Sequence, residues 1–142
     1  MGRHVLVAID DSEASRAAFD YALAEYPNAT ITVLHAFDPT HPYIYADATG
    51  GSADQYLEFA RASREHGTAL LEEATSLAAD RGREVRTALE DGQPPGVIVD
   101  YAAEADVDHV VLGSRDGGAN WISTRSVCQA VAKRVDAPVT VV

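Results

Sequence analysis

The chain has 142 residues, 46% of them hydrophobic, which suits one domain with one packed core and requires no second. Its 22 acidic residues against ten arginines and one lysine, Lys133, leave a formal charge of −11, so electrostatics argue against nucleic acid and anionic membrane as partners. No apolar run approaches the roughly 20 residues of a membrane span, and Met1-Gly2-Arg3-His4 leads straight into a strand pattern, so a cytoplasmic protein without a signal peptide is expected.

His4-Val5-Leu6-Val7-Ala8-Ile9 is a continuous apolar run of strand length ending at Asp10-Asp11-Ser12, the pattern of a central strand covered on both faces. Ser12 suits an N-cap and Glu13 a first turn, and Ala14, Ala17, Ala18, Tyr21 and Ala22 recur at helical spacing up to Pro27-Asn28. Thr30 to Phe37 is a second, β-branched strand, and a helical crossover from the first makes the two parallel neighbours. From Asp38 to about Gln55 the periodicity fails at Pro39, Pro42, Gly50 and Gly51, which predicts a long loop carrying His41, Tyr43 and Tyr45. A long helix from Ala53 to Asp80 follows, with Leu70, Leu71, Ala74, Leu77 and Ala78 as its apolar stripe and Gly82 as its stop. Val85 to Glu90 alternates more than the other strands and is placed nearer a sheet edge.

Asp91-Gly92-Gln93-Pro94-Pro95 then turns into a short helix with Val97, Ile98, Ala102 and Ala103 toward the core. Asp108 to Gly113 is a fourth strand, and Ser123-Thr124-Arg125-Ser126-Val127 opens a last helix bearing Val127, Ala130, Val131 and Arg134 at helical spacing. Pro138 to Val142 closes the chain as a fifth strand. Ligands of open parallel sheets bind outside the carboxyl ends of the strands, where a helix begins with free N–H groups. The turn Gly113-Ser114-Arg115-Asp116-Gly117-Gly118 is therefore the candidate site: glycine lets backbone approach a phosphate, and Ser123, Thr124 or Ser126 could cap the helix or donate to an anion.

Several chemistries lack their residues. No GxGxxG follows the first strand, no GxxxxGK[ST] occurs, and Asp10-Asp11-Ser12 is not the Ser-Gly-Gly of adenylating pyrophosphatases. A phosphoacceptor receiver would want a lysine after the fifth strand, and none stands there. The five histidines have no metal-site spacing, so no metal ligand is expected, and His35 reads as a strand-end core histidine. Cys128, the one cysteine, reads as a small buried apolar residue beside Val127 and Val131. No general base or nucleophile is positioned, so no catalytic residue is assigned and an efficient enzyme is not indicated.

The order β-α-β-loop-α-β-α-β-Gly-turn-α-β resembles the universal stress protein family along the whole chain. Val7-Ala8-Ile9-Asp10-Asp11-Ser12 is similar to that family's first-strand ending, Leu34-His35-Ala36 to its Leu-His-Val second strand, Gly92 to Val97 to its Gly-x-Pro helix start, and Ala137 to Val142 to its terminal Pro-Val strand. The expected fold is a single doubly wound α/β domain over residues 1–142, with a five-stranded parallel sheet in the order 3-2-1-4-5 and helices on both faces. By resemblance, Ala8 and Asp10, Ala36, Gly113 and Ser126 would surround an adenine nucleotide, ATP or AMP with Mg, with Asp10 near the adenosine part. Without a ligand, Asp10 would cap the helix it precedes and Gly113 would permit a tight turn.

ATP-binding members carry Gly-x2-Gly-x9-Gly-Ser/Thr between the fourth strand and the last helix. Gly113 matches the first glycine, but Asp116 stands at the second, and aligning on Ser126-Val127 puts Arg125 at the third with a spacer one residue shorter. A carboxylate about 4 Å from a phosphate costs about 4 kcal/mol per charge pair at an effective dielectric near 20, enough to erase micromolar affinity if uncompensated. Gly117 and Gly118 could take over the close approach, and Arg115 or Arg125 could neutralise a phosphate or pair with Asp116.

The resulting expectation is a cytoplasmic stress-response protein that acts as a homodimeric binding module, its nucleotide binding weak or lost. The alternative is an ATP- or AMP-binding universal stress protein with slow or no hydrolysis. The fifth strand is an uncharged sheet edge, and antiparallel pairing of Val139 to Val142 with a second copy would cover it. The acidic excess with a single lysine also suggests a halophilic surface that concentrated salt would screen.

Overall fold

The computed structural model describes residues 2–37, 53–114 and 122–142. Their elements are β1 (His4–Ala8), α1 (Glu13–Glu25), β2 (Thr30–Phe37), α2 (Ala53–Asp80), β3 (Arg86–Asp91), α3 (Pro94–Glu104), β4 (His109–Leu112), α4 (Arg125–Arg134) and β5 (Val139–Val141). All five strands are parallel and lie in the order β3-β2-β1-β4-β5, as the β-α periodicity and the resemblance predict. Pairing runs a residue past the strand limits, since Ile9 N–H donates to Leu34 O at 2.8 Å and Val142 N–H to Leu112 O at 2.8 Å.

The unbroken apolar run of β1 has a two-sided cause. Val5, Val7 and Ile9 pack with Phe19 and Ala22 of α1 and Leu71, Ala74 and Ala78 of α2, whereas Leu6 and Ala8 pack with Ile98 and Ala102 of α3 and Val127 and Val131 of α4. Alternate side chains thus enter two separate cores, and Val5 to Ala8 are all fully buried. β3 is an outer strand with Arg86, Glu90 and Asp91 exposed along it, in keeping with its mixed sequence.

Local chemistry sets the helix ends. Ser12 Oγ accepts from Ser15 N–H at 3.1 Å and Thr124 Oγ1 from Val127 N–H at 3.3 Å, each satisfying a donor that the first helical turn leaves open. α2 stops at Gly82, whose φ of +71° favours glycine, with Gly82 N–H donating to Ala79 O and Arg83 N–H to Ala78 O, both at 2.9 Å. Arg83 then reaches across to the end of α1, its guanidinium donating to Leu23 O at 2.8 Å, Tyr26 O at 3.0 Å and Ala29 O at 3.3 Å. Among the described residues no helix is long and apolar enough to cross a membrane. The loop expected over 38–55 lies outside the described residues as far as 52, and α2 already begins at Ala53.

Candidate functional site

The strand order reverses between β1 and β4, and the openings of α1 and α4 flank that crevice. Asp10 ties the two sides together. Its Oδ1 accepts from Ser12 N–H at 2.8 Å and its Oδ2 from Ser123 N–H at 2.9 Å, while its own N–H donates to Ser15 Oγ at 2.8 Å. Asp10, Ser12, Ser15 and Ser123 are all buried. Ser12 is the cap of α1, as its sequence position predicts; the ligand-free role considered for Asp10, capping that helix itself, is not the one found, and its carboxylate braces the β1 exit against a segment 113 residues away.

Gly113 is buried at the end of β4 and has a role distinct from a tight turn. Its φ is not positive; a Cβ built there would lie 2.2 Å from Ala14 O and 2.5 Å from Ala14 C. The first turn of α1 therefore sits where any side chain at 113 would have to go. Ala8 and Ala36 are both buried on the α3 and α4 side of the sheet, in one cluster with Ile122 and Val127. Arg125 and Ser126 are exposed in the first turn of α4, and the hydroxyls of Thr124 and Ser126 lie 3.4 Å apart. Arg115, Asp116, Gly117 and Gly118 of the proposed phosphate turn, and Trp121, lie outside the described residues. Cys128 is buried with its Sγ 3.4 Å from Gly113 O, and burial pushes its thiol pKa up, away from nucleophilic chemistry.

One cluster beside the crevice escaped the sequence reading. His35 donates from Nδ1 to Ile9 O at 2.8 Å, and burial lowers its pKa below the ordinary imidazole value. On α2, His66 Nε2 lies 3.4 Å from Asp11 Oδ2, both side chains being about half exposed. The next residue, Gly67, meets His35 so closely that a Cβ would stand 2.7 Å from its Cδ2 and 2.7 Å from Leu89 Cδ1. A glycine inside a 28-residue helix was the available signal, because it costs about 1 kcal/mol against alanine and calls for a packing reason. One turn earlier, Arg64 stands over the Phe37 ring at 5.9 Å and faces Asp91 Oδ1 at 3.6 Å. Among the described residues no group of three or more His, Cys, Asp or Glu side chains could hold a metal ion.

This arrangement can be set beside known proteins. A model of the Universal stress protein family matches residues 1–142. The chain is 29% identical to universal stress protein YxiE of Bacillus subtilis (strain 168), in an alignment covering 100% of this chain and 99% of the relative. Universal stress protein UspA from Lactobacillus plantarum superposes with a TM-score of 0.76 at 21% identity, covering 99% of this chain and 97% of that one. A universal stress protein family protein from Arabidopsis thaliana, solved with AMP bound, superposes with a TM-score of 0.68 at 18% identity, covering 99% and 90%. With the family match over its whole length and the sheet order found above, the chain belongs to the universal stress protein family.

Proposed function

We propose that this protein is a stress-response binding module that works as a homodimer and holds adenine nucleotide weakly or not at all. The observation that carries the nucleotide part is the state of Asp10, whose two carboxylate oxygens are both occupied by backbone N–H groups of the protein itself. A nucleotide seeking that carboxylate must share it with the Ser12 and Ser123 donors in a buried pocket, and it must also accommodate Asp116 at the second glycine of the motif. A penalty of about 4 kcal/mol from that charge is about three decades in affinity, enough to carry a micromolar site to millimolar.

Dimerisation is supported by the contrast between the two sheet edges. β3 presents Arg86, Glu90 and Asp91, charges that discourage strand addition, whereas β5 carries no charge and leaves Val141 50% and Val142 40% exposed. Antiparallel pairing of Val139 to Val142 with its copy would cover both valines under a two-fold axis. Val141→Pro should then give monomer or aggregate, and an unchanged dimer mass by light scattering would refute the arrangement.

The second reading is an ATP- or AMP-binding protein with slow or no hydrolysis. It is favoured by the AMP found in the Arabidopsis protein of the same fold. Calorimetric titration with AMP, and with ATP and Mg, separates the two. Dissociation constants weaker than about 100 μM, tightened in Asp116→Gly, are the expected result, and micromolar binding to the unaltered protein makes the second reading the correct one.

A further inference from the structure

We propose that His35, His66 and Asp11 form an acid-sensitive latch that holds the middle of α2 against the crevice end of the sheet. The inference is independent of the nucleotide reading, because it concerns the α2 side of β1 and β2 and uses none of the phosphate-turn residues.

Three contacts define the latch. Ile9 O can only accept, so Nδ1 of His35 carries the proton of that 2.8 Å bond and the neutral ring keeps its Nε2 lone pair. Gly67 brings the α2 backbone down on the same ring, with a built Cβ only 3.4 Å from Nε2 and 2.7 Å from Cδ2. His66 then anchors the helix laterally on Asp11.

A second proton on His35 changes the balance. The imidazolium would be enclosed at 8% exposure between the α2 backbone and Leu89, an apolar neighbour from β3. The charged groups that face it come from two elements. From the β1 exit, Asp10 has both oxygens engaged by N–H donors, and Asp11 is turned toward His66. From α2, His66 opposes a positive charge on His35, and Arg64 is occupied with Phe37 and Asp91. Glu90 and Asp91 of β3 are exposed at the strand end. Burial outweighs the Ile9 hydrogen bond and the attraction of the two aspartates, so the closed packing holds the His35 pKa below its ordinary value of 6.5 and protonation favours a state in which α2 has lifted. With a lifted state titrating at 6.5 and a closed ring held below it, the opening constant rises between pH 7.5 and 5.5, by at most about ten-fold.

Hydrogen exchange of the full chain at pH 7.5 and 5.5, corrected for the intrinsic exchange rate, tests this. Peptides around Gly67 should lose protection, by up to about ten-fold, while those of α3 keep theirs. No loss at Gly67, or an equal loss in α3, overturns the latch. His35→Gln should flatten the response, and a variant responding like the parent overturns it too. His66→Gln should lower the protection of the Gly67 peptides at both pH values by removing the anchor on Asp11, and unchanged protection removes His66 from the device. If His35→Gln does not fold, the His35 ring protons of the parent decide by NMR: a midpoint below 6.5 supports the latch and one at or above 6.5 refutes it.

Discussion

Asp10→Asn probes the brace between the two sides of the crevice with a change of only one atom and one charge. Each N–H bonded to an ionised acceptor contributes about 1.5–3 kcal/mol, and Asp10 receives two such bonds, at 2.8 and 2.9 Å, from Ser12 and Ser123. Asparagine keeps one oxygen for one of these donors and turns an NH₂ group toward the other, so one bond is lost and a buried donor faces a donor. The expected loss is about 2–4 kcal/mol, and Asp10→Ala, which strands both N–H groups, should lose more. Urea unfolding at pH 7.5 measures it, the m-value serving to show that the unfolded state is unchanged. Ser12→Ala provides the scale, because loss of the N-cap alone costs about 1 kcal/mol. If Asp10→Asn comes within 0.5 kcal/mol of the parent at equal m-value, the carboxylate is not a brace, and its availability to a ligand must be reconsidered.

Gly113→Ala should destabilise by about 1–3 kcal/mol through overpacking, because the atoms in the way belong to the Ala14 backbone and cannot rotate aside; an unchanged melting temperature would mean that α1 yields freely. Arg83→Ala should lose about 2–3 kcal/mol in chemical denaturation by stranding the carbonyls of Leu23, Tyr26 and Ala29, and a loss below 0.5 kcal/mol would show that water replaces the guanidinium. His35 and His109 are both held below 6.5 by burial, so the folded chain binds fewer protons than the unfolded one just below that pH. Global stability should therefore fall as pH drops from 7.5 to 5.5, and a rise over that window contradicts the sign. If the charge of −11 reflects adaptation to salt, the melting temperature should climb between dilute buffer and molar KCl, and a flat response removes that idea.

Element type and order were legible in the sequence because each rests on a local period. Val5 to Ala8 form an uninterrupted apolar run since both faces of β1 are covered, and the long helix shows its stripe at Leu71, Ala74 and Ala78 since only one side meets the sheet. Ser12 and Gly82 marked helix ends by their own chemistry, which depends on neighbours three to five residues away. The candidate site was legible only as a place. The need for glycine at Gly113 comes from the backbone of Ala14, which lies far along the chain.

What the sequence determined by itself was the parallel α/β layering and the family, both of which follow from spacing and short motifs. Only the tertiary structure decided that the Asp10 carboxylate belongs to Ser123 as well as to Ser12, and that His35 lies under Gly67 with His66 beside it. The physical reason is range: hydrophobic period and capping act within a few turns of chain, whereas a buried carboxylate or imidazole takes its partners from whatever segments the folded sheet brings against it, and those partners leave no spacing to read.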